Sequence, residues 1–202
     1  MRIKSLLCFT LAAPVAVGLL LSPVAVAAET LTFGSYIGAS SPTFANGPVT
    51  YGSVGGTAVT ETYDYPADTT PVIPGTTYVT YDNSPNAAPG IVDYFTTYTG
   101  NLAGDPGSIT VQADDGLTVL LNGVTVGSFP TSDYDQVFTY TISGSDFING
   151  QNIFEFEVNN AQGYTGLDFE ATVASTPEPS SFLLLGTGLL GLAGAARRRF
   201  SA

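Results

Sequence analysis

All five basic residues of this 202-residue chain (Arg2, Lys4, Arg197, Arg198 and Arg199) lie at its two ends; of seventeen acids only Glu178 falls outside residues 29–176, which leaves sixteen there and a net charge of −12 overall. The middle has no Lys, Arg, His, Cys, Met or Trp, which excludes a phosphate clamp or nucleic-acid patch, a Ser-His or Cys-His nucleophile, a soft-metal site and a Schiff base. A disulfide is excluded too, so stability must come from an apolar core or from bound cations, structural calcium or another hard cation, drawn to uncompensated carboxylates.

Met1–Ala28 reads as a secretory signal helix. Arg2 and Lys4 precede an apolar run from Leu6 to Leu21, and Ala25-Val26-Ala27 offers a cut after Ala27 or after Ala28. Residues 29–176 then have the length of one domain. Leu31–Ile37 and Ala58–Tyr63 alternate as strands do, separated by the turn clusters Ser40-Ser41-Pro42 and Asn46-Gly47-Pro48 and followed by Pro71–Gly75. Thr76–Tyr81 is a further strand.

From Ile91 the period-2 pattern is sharper. Ile91–Thr99 and Ile109–Ala113 are strands; Asp114-Asp115-Gly116 then leads to Leu117–Leu121, and Asn122-Gly123 to Val124–Val126. Asp-Gly and Asn-Gly between alternating segments are hairpin signals, because both turn positions tolerate positive φ; they predict a three-strand meander. Val137–Ile142 follows. Phe154, Phe156 and Val158 are expected inward with Glu155 and Glu157 outward, and Leu167, Phe169, Ala171 and Val173 inward with Asp168 and Glu170 outward. No helical period is visible, so the fold class is all-β, an antiparallel β-sandwich.

Three acidic groupings are candidate sites. Asp114-Asp115 reads first as turn chemistry and second as a calcium ligand pair; Asp133 and Asp135 read as a solvated loop. Glu155/Glu157 and Asp168/Glu170 have the residue types of a glycoside hydrolase's two carboxylates, but their alternation marks the outer faces of half-buried strands. Tyr and Thr abundance fits strand propensity first and an adhesive surface second.

Ala113-Asp114-Asp115-Gly116, Leu121-Asn122-Gly123 and Asn149-Gly150-Gln151-Asn152 before a Phe/Glu strand resemble the galactose-binding-like jelly roll of many carbohydrate-binding modules, over about residues 76–173. That resemblance implies a jelly-roll-like sandwich with sugar sites on loop aromatics, often beside a structural calcium. The middle lacks the Trp platforms and Arg of many such modules, leaving its eleven tyrosines as the available stacking faces.

The chain closes on Thr176-Pro177-Glu178-Pro179-Ser180-Ser181, the uncharged stretch Phe182–Ala196 and Arg197-Arg198-Arg199. Pro177 and Pro179 stiffen the backbone and hold Glu178 on an extended stalk. Residues 182–196 are expected as one transmembrane helix of about 22 Å, short against a hydrocarbon core of about 30 Å. The arginines form a basic cytoplasmic stop over residues 197–202.

Motif, span and basic end, in that order, resemble the PEP-CTERM sorting signal of Gram-negative bacteria, a domain also called the ice-binding protein C-terminal domain. The resemblance covers residues 176–202. It implies recognition at Pro177, Glu178 and Pro179 by an exosortase-type membrane protease and export linked to exopolysaccharide. The expected organisation is signal peptide 1–28, acidic domain 29–176 and sorting signal 177–202. The expected function is that of a non-enzymatic exported protein, exported across the inner membrane, briefly membrane-anchored and then left at the cell surface or in the extracellular matrix. The alternative is a carbohydrate-binding module using calcium, and a carboxylate-based glycoside hydrolase is the third reading; no organic cofactor or nucleic-acid partner is expected.

Overall fold

Alternating apolar and polar residues put every second side chain on one face of a strand, and two such faces closed on each other form the core. The computed structural model describes residues 29–61, 73–82, 84, 86–133, 136–161, 163–175 and 179–200. Among the described residues five strands come before residue 90: β1 (Glu29–Gly34), β2 (Thr50–Tyr51), β3 (Thr57–Ala58), β4 (Thr60–Glu61) and β5 (Val79–Thr80). Seven more follow: β6 (Gly90–Asn101), β7 (Gly107–Asp114), β8 (Gly116–Leu121), β9 (Val124–Phe129), β10 (Phe138–Ile142), β11 (Asn149–Asn160) and β12 (Gly166–Ser175). The predicted strand Ala58–Tyr63 runs beyond the described residues after Glu61.

The strands form two antiparallel sheets. The first has the order β10-β7-β12-β5-β4, with β1 also paired to β12; the second has the order β3-β2-β6-β11-β8-β9. Setting aside the short strands β2 to β5 leaves β1-β12-β7-β10 facing β6-β11-β8-β9. Chain order through those eight strands switches sheets as an eight-stranded jelly roll does. The fold is therefore an antiparallel, jelly-roll β-sandwich, as the turn residues imply. Its core is continuous between the sheets: Phe156 of β11 and Phe169 of β12 meet at 4.5 Å between ring centroids, and Phe33 of β1 meets Phe154 of β11 at 5.6 Å.

The two hairpin signals have different fates. Asn122 (φ 53°) and Gly123 (φ 80°) do turn β8 into β9, and the Asn122 side chain also binds Asp146 O, Asn152 Oδ1 and Ile153 N. Asp114-Asp115-Gly116 does not make a hairpin. β7 pairs with β10 and β12 in the first sheet, whereas β8 pairs with β9 and β11 in the second. The predicted meander is thus half correct, because this acidic corner carries the chain across the sandwich. Period-2 alternation reports which face of a strand is buried; it carries no information about which strand lies beside it.

The outer face of β12 also differs from expectation. Leu167, Phe169, Ala171 and Val173 are buried as expected, but Asp168 is fully buried as well. The loop after β1 covers this part of the first sheet: Ser35 N donates to Phe169 O at 3.0 Å and Ser35 Oγ to Asp168 Oδ1 at 2.7 Å.

Beyond the sandwich, α1 runs from Pro179 to Phe200. Pro179 is therefore the first residue of a helix and not part of the extended stalk, a position proline tolerates because its missing N–H has no intrahelical partner there. Pro177 and Glu178 lie outside the described residues. Among the described residues no helix is long and apolar enough to cross a membrane. The helix does leave Leu185, Leu190 and Leu192 exposed, and Gly186, Thr187, Gly188, Gly191 and Gly194 dilute its apolar surface.

Candidate functional site

Strand direction sorts the chemistry into two rims. β12 leaves the rim where Gly166 faces Asp114 and ends at the opposite rim, where Ser175 faces Glu29. Ten residues at about 3.3 Å each separate the rims by about 30 Å. The tail departs from the second, proximal rim. Asp114 and Asp115 sit at the first, distal one, as do the ends of β5 and β11.

At the distal rim Asp114 is 9% exposed. Burial is the main cause that pushes its carboxyl up to about 8, helped by a hydrogen bond to Asp115 and by the charge of Asp115. Asp115 Oδ2 accepts from Ala161 N at the end of β11. The sequence contains the pair, but only the fold explains its cost: Asp114 is held beside a like charge in a domain with no cationic side chain. Such a pair keeps a proton or takes a hard cation, and its oxygen donors fit calcium.

The outer face of the second sheet carries another grouping. Asp93 of β6 and Glu157 of β11 are cross-strand partners, Glu155 is two residues away, and the three carboxylates lie within 4.8 Å of one another, each half-buried. Burial raises the pKa of Glu155, and the charges of Asp93 and Glu157 add to it. Glu155 and Glu157 face outward as predicted. Asp93 escaped sequence reasoning because its partnership depends on the β6–β11 register. Its only local signal is a shared parity with Phe95 and Thr97.

The structure separates the two carboxylate pairs of the hydrolase reading. Asp168 and Glu170 belong to the first sheet, while Glu155 and Glu157 face away from it on the second. Packed sheets lie about 10 Å apart, and the whole core fills that gap, so the two pairs do not flank one bond. Asp168 has its pKa raised by burial, opposed by the Ser35 hydrogen bond, and its Oδ2 has no hydrogen-bond partner. Asp133 ends a single 3-10 turn, Thr131–Asp133, and Asp135 lies outside the described residues. Two surface depressions, about 150 Å³ beside Phe95 and about 340 Å³ beside Ser108 and Thr172, are lined by none of these acids.

The tyrosines also depart from expectation. None of the eight described ones is exposed: Tyr36, Tyr78 and Tyr94 are buried, and Tyr51, Tyr81, Tyr98 and Tyr140 pack against the core. The rings of those seven pack into or against the sandwich, and Tyr164 is half-buried, so none of the eight stands fully exposed.

Known proteins resemble the chain in two regions. Over residues 175–199 it matches the PEP-CTERM protein-sorting motif. No curated protein matches the chain. Among solved structures, the CBM36-1 domain of a multidomain xylanase from the hindgut metagenome of Trinervitermes trinervoides is 13% identical over 74% of this chain and 100% of its own, with a TM-score of 0.40. A family 35 carbohydrate-binding module from Cellvibrio japonicus is 16% identical over 73% of this chain and 95% of its own, at 0.37. A family 36 module in complex with calcium and xylotriose is 15% identical over 45% and 92%, at 0.27. These likenesses assign no ligand and no residue to this chain. The tail, with its Pro-Glu-Pro motif, apolar helix and arginine end, is the PEP-CTERM protein-sorting signal, the mark of an exported protein of Gram-negative bacteria.

Proposed function

We propose that this chain is a cell-surface or matrix protein that is exported through a signal peptide at residues 1–28 and sorted through residues 177–202. Its acidic domain, residues 29–176, stays outside. The matched sorting motif at residues 175–199 carries this reading. In it, residues 182–196 hold the precursor briefly in the inner membrane; the exposed leucines of α1 supply the apolar surface, and Arg197, Arg198 and Arg199 hold the end in the cytoplasm. An exosortase-type protease acts at Pro177, Glu178 and Pro179, and the released domain associates with exopolysaccharide in a structural or adhesive role.

Glu178→Ala tests it. The variant is expected to accumulate as full-length, membrane-held precursor, read by intact mass in the producing cells. Release at the wild-type rate would remove exosortase processing from the account.

A second reading concerns what the domain does once delivered: calcium-dependent carbohydrate binding at the distal rim. The observation favouring it is the buried Asp114 carboxyl beside Asp115, a pair of hard oxygen donors that a cation would relieve. On a glycan array, retention with calcium and its loss on chelation or in Asp115→Asn is the expected result. Equal retention with and without calcium would remove calcium from the binding, and no retention at all would leave only the structural role.

A further inference from the structure

We propose that the domain resists force applied between its distal rim and its C-terminal end, yet yields readily to force applied across its two ends, Glu29 and Ser175. The use of this property rests on the proposed attachment through the tail and contact at the distal rim; the property itself follows from the strand register.

β12 is an interior strand of the first sheet. It pairs with β7 from Gly166↔Asp114 to Val173↔Gly107, with β1 from Gly34↔Glu170 to Glu29↔Ser175, and with β5 at Leu167↔Val79. A pull on Ser175 opposed by a pull on Asp115 runs along the strands, so β12 and β7 are driven past each other lengthwise. Antiparallel hydrogen bonds lie perpendicular to the strands, so the whole β7–β12 ladder is loaded at once and no bond fails alone.

Slippage by a single residue gives no escape. A shift of one residue turns every side chain to the other face, which would expel Leu167, Phe169, Ala171 and Val173 from the core. Side chains add ties across or against the sliding pair. Ser108 of β7 and Thr172 of β12 share a hydroxyl–hydroxyl bond at 3.1 Å, and Ser35 holds Asp168 from above. On the far side of β7, Thr110 and Thr139 are joined at 3.0 Å, linking it to β10.

The two ends of the domain present the opposite geometry. Glu29 and Ser175 are directly opposed at the proximal rim. Pulling them apart opens the β1–β12 ladder one pair at a time, each step releasing only the bonds of that pair. A single chain therefore contains a strong axis and a weak one, and attachment through the C-terminus loads the strong one.

The test is single-molecule force spectroscopy on the full chain carrying Cys8→Ser, with thiol handles at two chosen positions. Handles at Ser175→Cys and Asp115→Cys are compared with handles at Ser175→Cys and Glu29→Cys. The first pair is expected to rupture at about threefold or higher force, because parallel loading shares the force that sequential loading puts on one bond. Should Asp115→Cys fail to fold, Gln136→Cys, just ahead of β10, loads β12 through β10 and β7 and is expected to keep the ratio. Equal forces in the two geometries, or a higher force across Glu29 and Ser175, would overturn the proposal. No ligand or protease enters the measurement, so its failure leaves the sorting reading standing, and failure of that reading leaves the force ratio unchanged.

Discussion

Phe169→Ala is expected to cost the domain about 3–5 kcal/mol, the range for truncating a fully buried phenylalanine. Phe169 is fully buried on β12, and its ring meets Phe156 of the opposite sheet at 4.5 Å. The substitution therefore removes a contact that joins the two sheets and leaves a cavity between them. Native domains have a total stability of about 5–15 kcal/mol, so the variant loses a large fraction of what holds it folded. The measurement is the urea midpoint with an unchanged slope. Val124→Ala is the control: Val124 is 48% exposed at the edge strand β9, and its loss should stay within about 0.5 kcal/mol. Similar midpoints for the two variants would mean that the sandwich core is not organised around this inter-sheet contact.

In the absence of divalent cations, thermal stability is expected to fall as pH rises from about 4 to about 8, by several degrees. The sign follows from Asp114, whose carboxyl moves from 3.8 to about 8 on folding, chiefly through burial and then through Asp115. Below the lower value both states are protonated, and the favourable contribution is fully present. Above it the unfolded chain ionises while the folded one keeps its proton, so the contribution drains away until the pH passes about 8. Asp168 and Glu155 are raised too and act in the same direction. Asp114→Asn should flatten the profile and be the more stable protein at the alkaline end. Calcium added there should restore the wild type and do nothing for the variant. A pH profile of Asp114→Asn that matches the wild type would remove this carboxyl as the source of the dependence.

Residue by residue, the strands after Ile91 are legible because alternation over many positions identifies the buried face. Phe154, Phe156, Val158, Leu167, Phe169 and Val173 are all where that pattern puts them. The Asn122-Gly123 hairpin is legible for a different reason: both residues must adopt positive φ, and few residue pairs do so cheaply. The neighbouring Asp115-Gly116 carries the same signature and yet serves as a corner between sheets. Neither residue adopts positive φ there, and Gly116 instead allows a close approach of backbone, since a Cβ would meet Thr131 N at 2.8 Å; the choice between hairpin and crossing is made by distant strands. Asp168 makes the same point from the other side. Its alternation with Leu167 and Phe169 marks it as an outer-face residue, and it is one; the loop carrying Ser35 then covers that face.

By itself the amino-acid order determined the sorting tail, the segregation of positive charge to the two ends, the elimination of histidine, thiol and lysine chemistry from the middle, and the core-facing residues of β11 and β12. Each of these is a property of residues near one another in the chain. Tertiary structure alone decided the sheet to which each strand belongs, the burial of Asp114 and Asp168, the meeting of Asp93 with Glu155 and Glu157, and the opposition of Glu29 to Ser175. Those depend on register between segments far apart in sequence, which is set by the packing of the whole core.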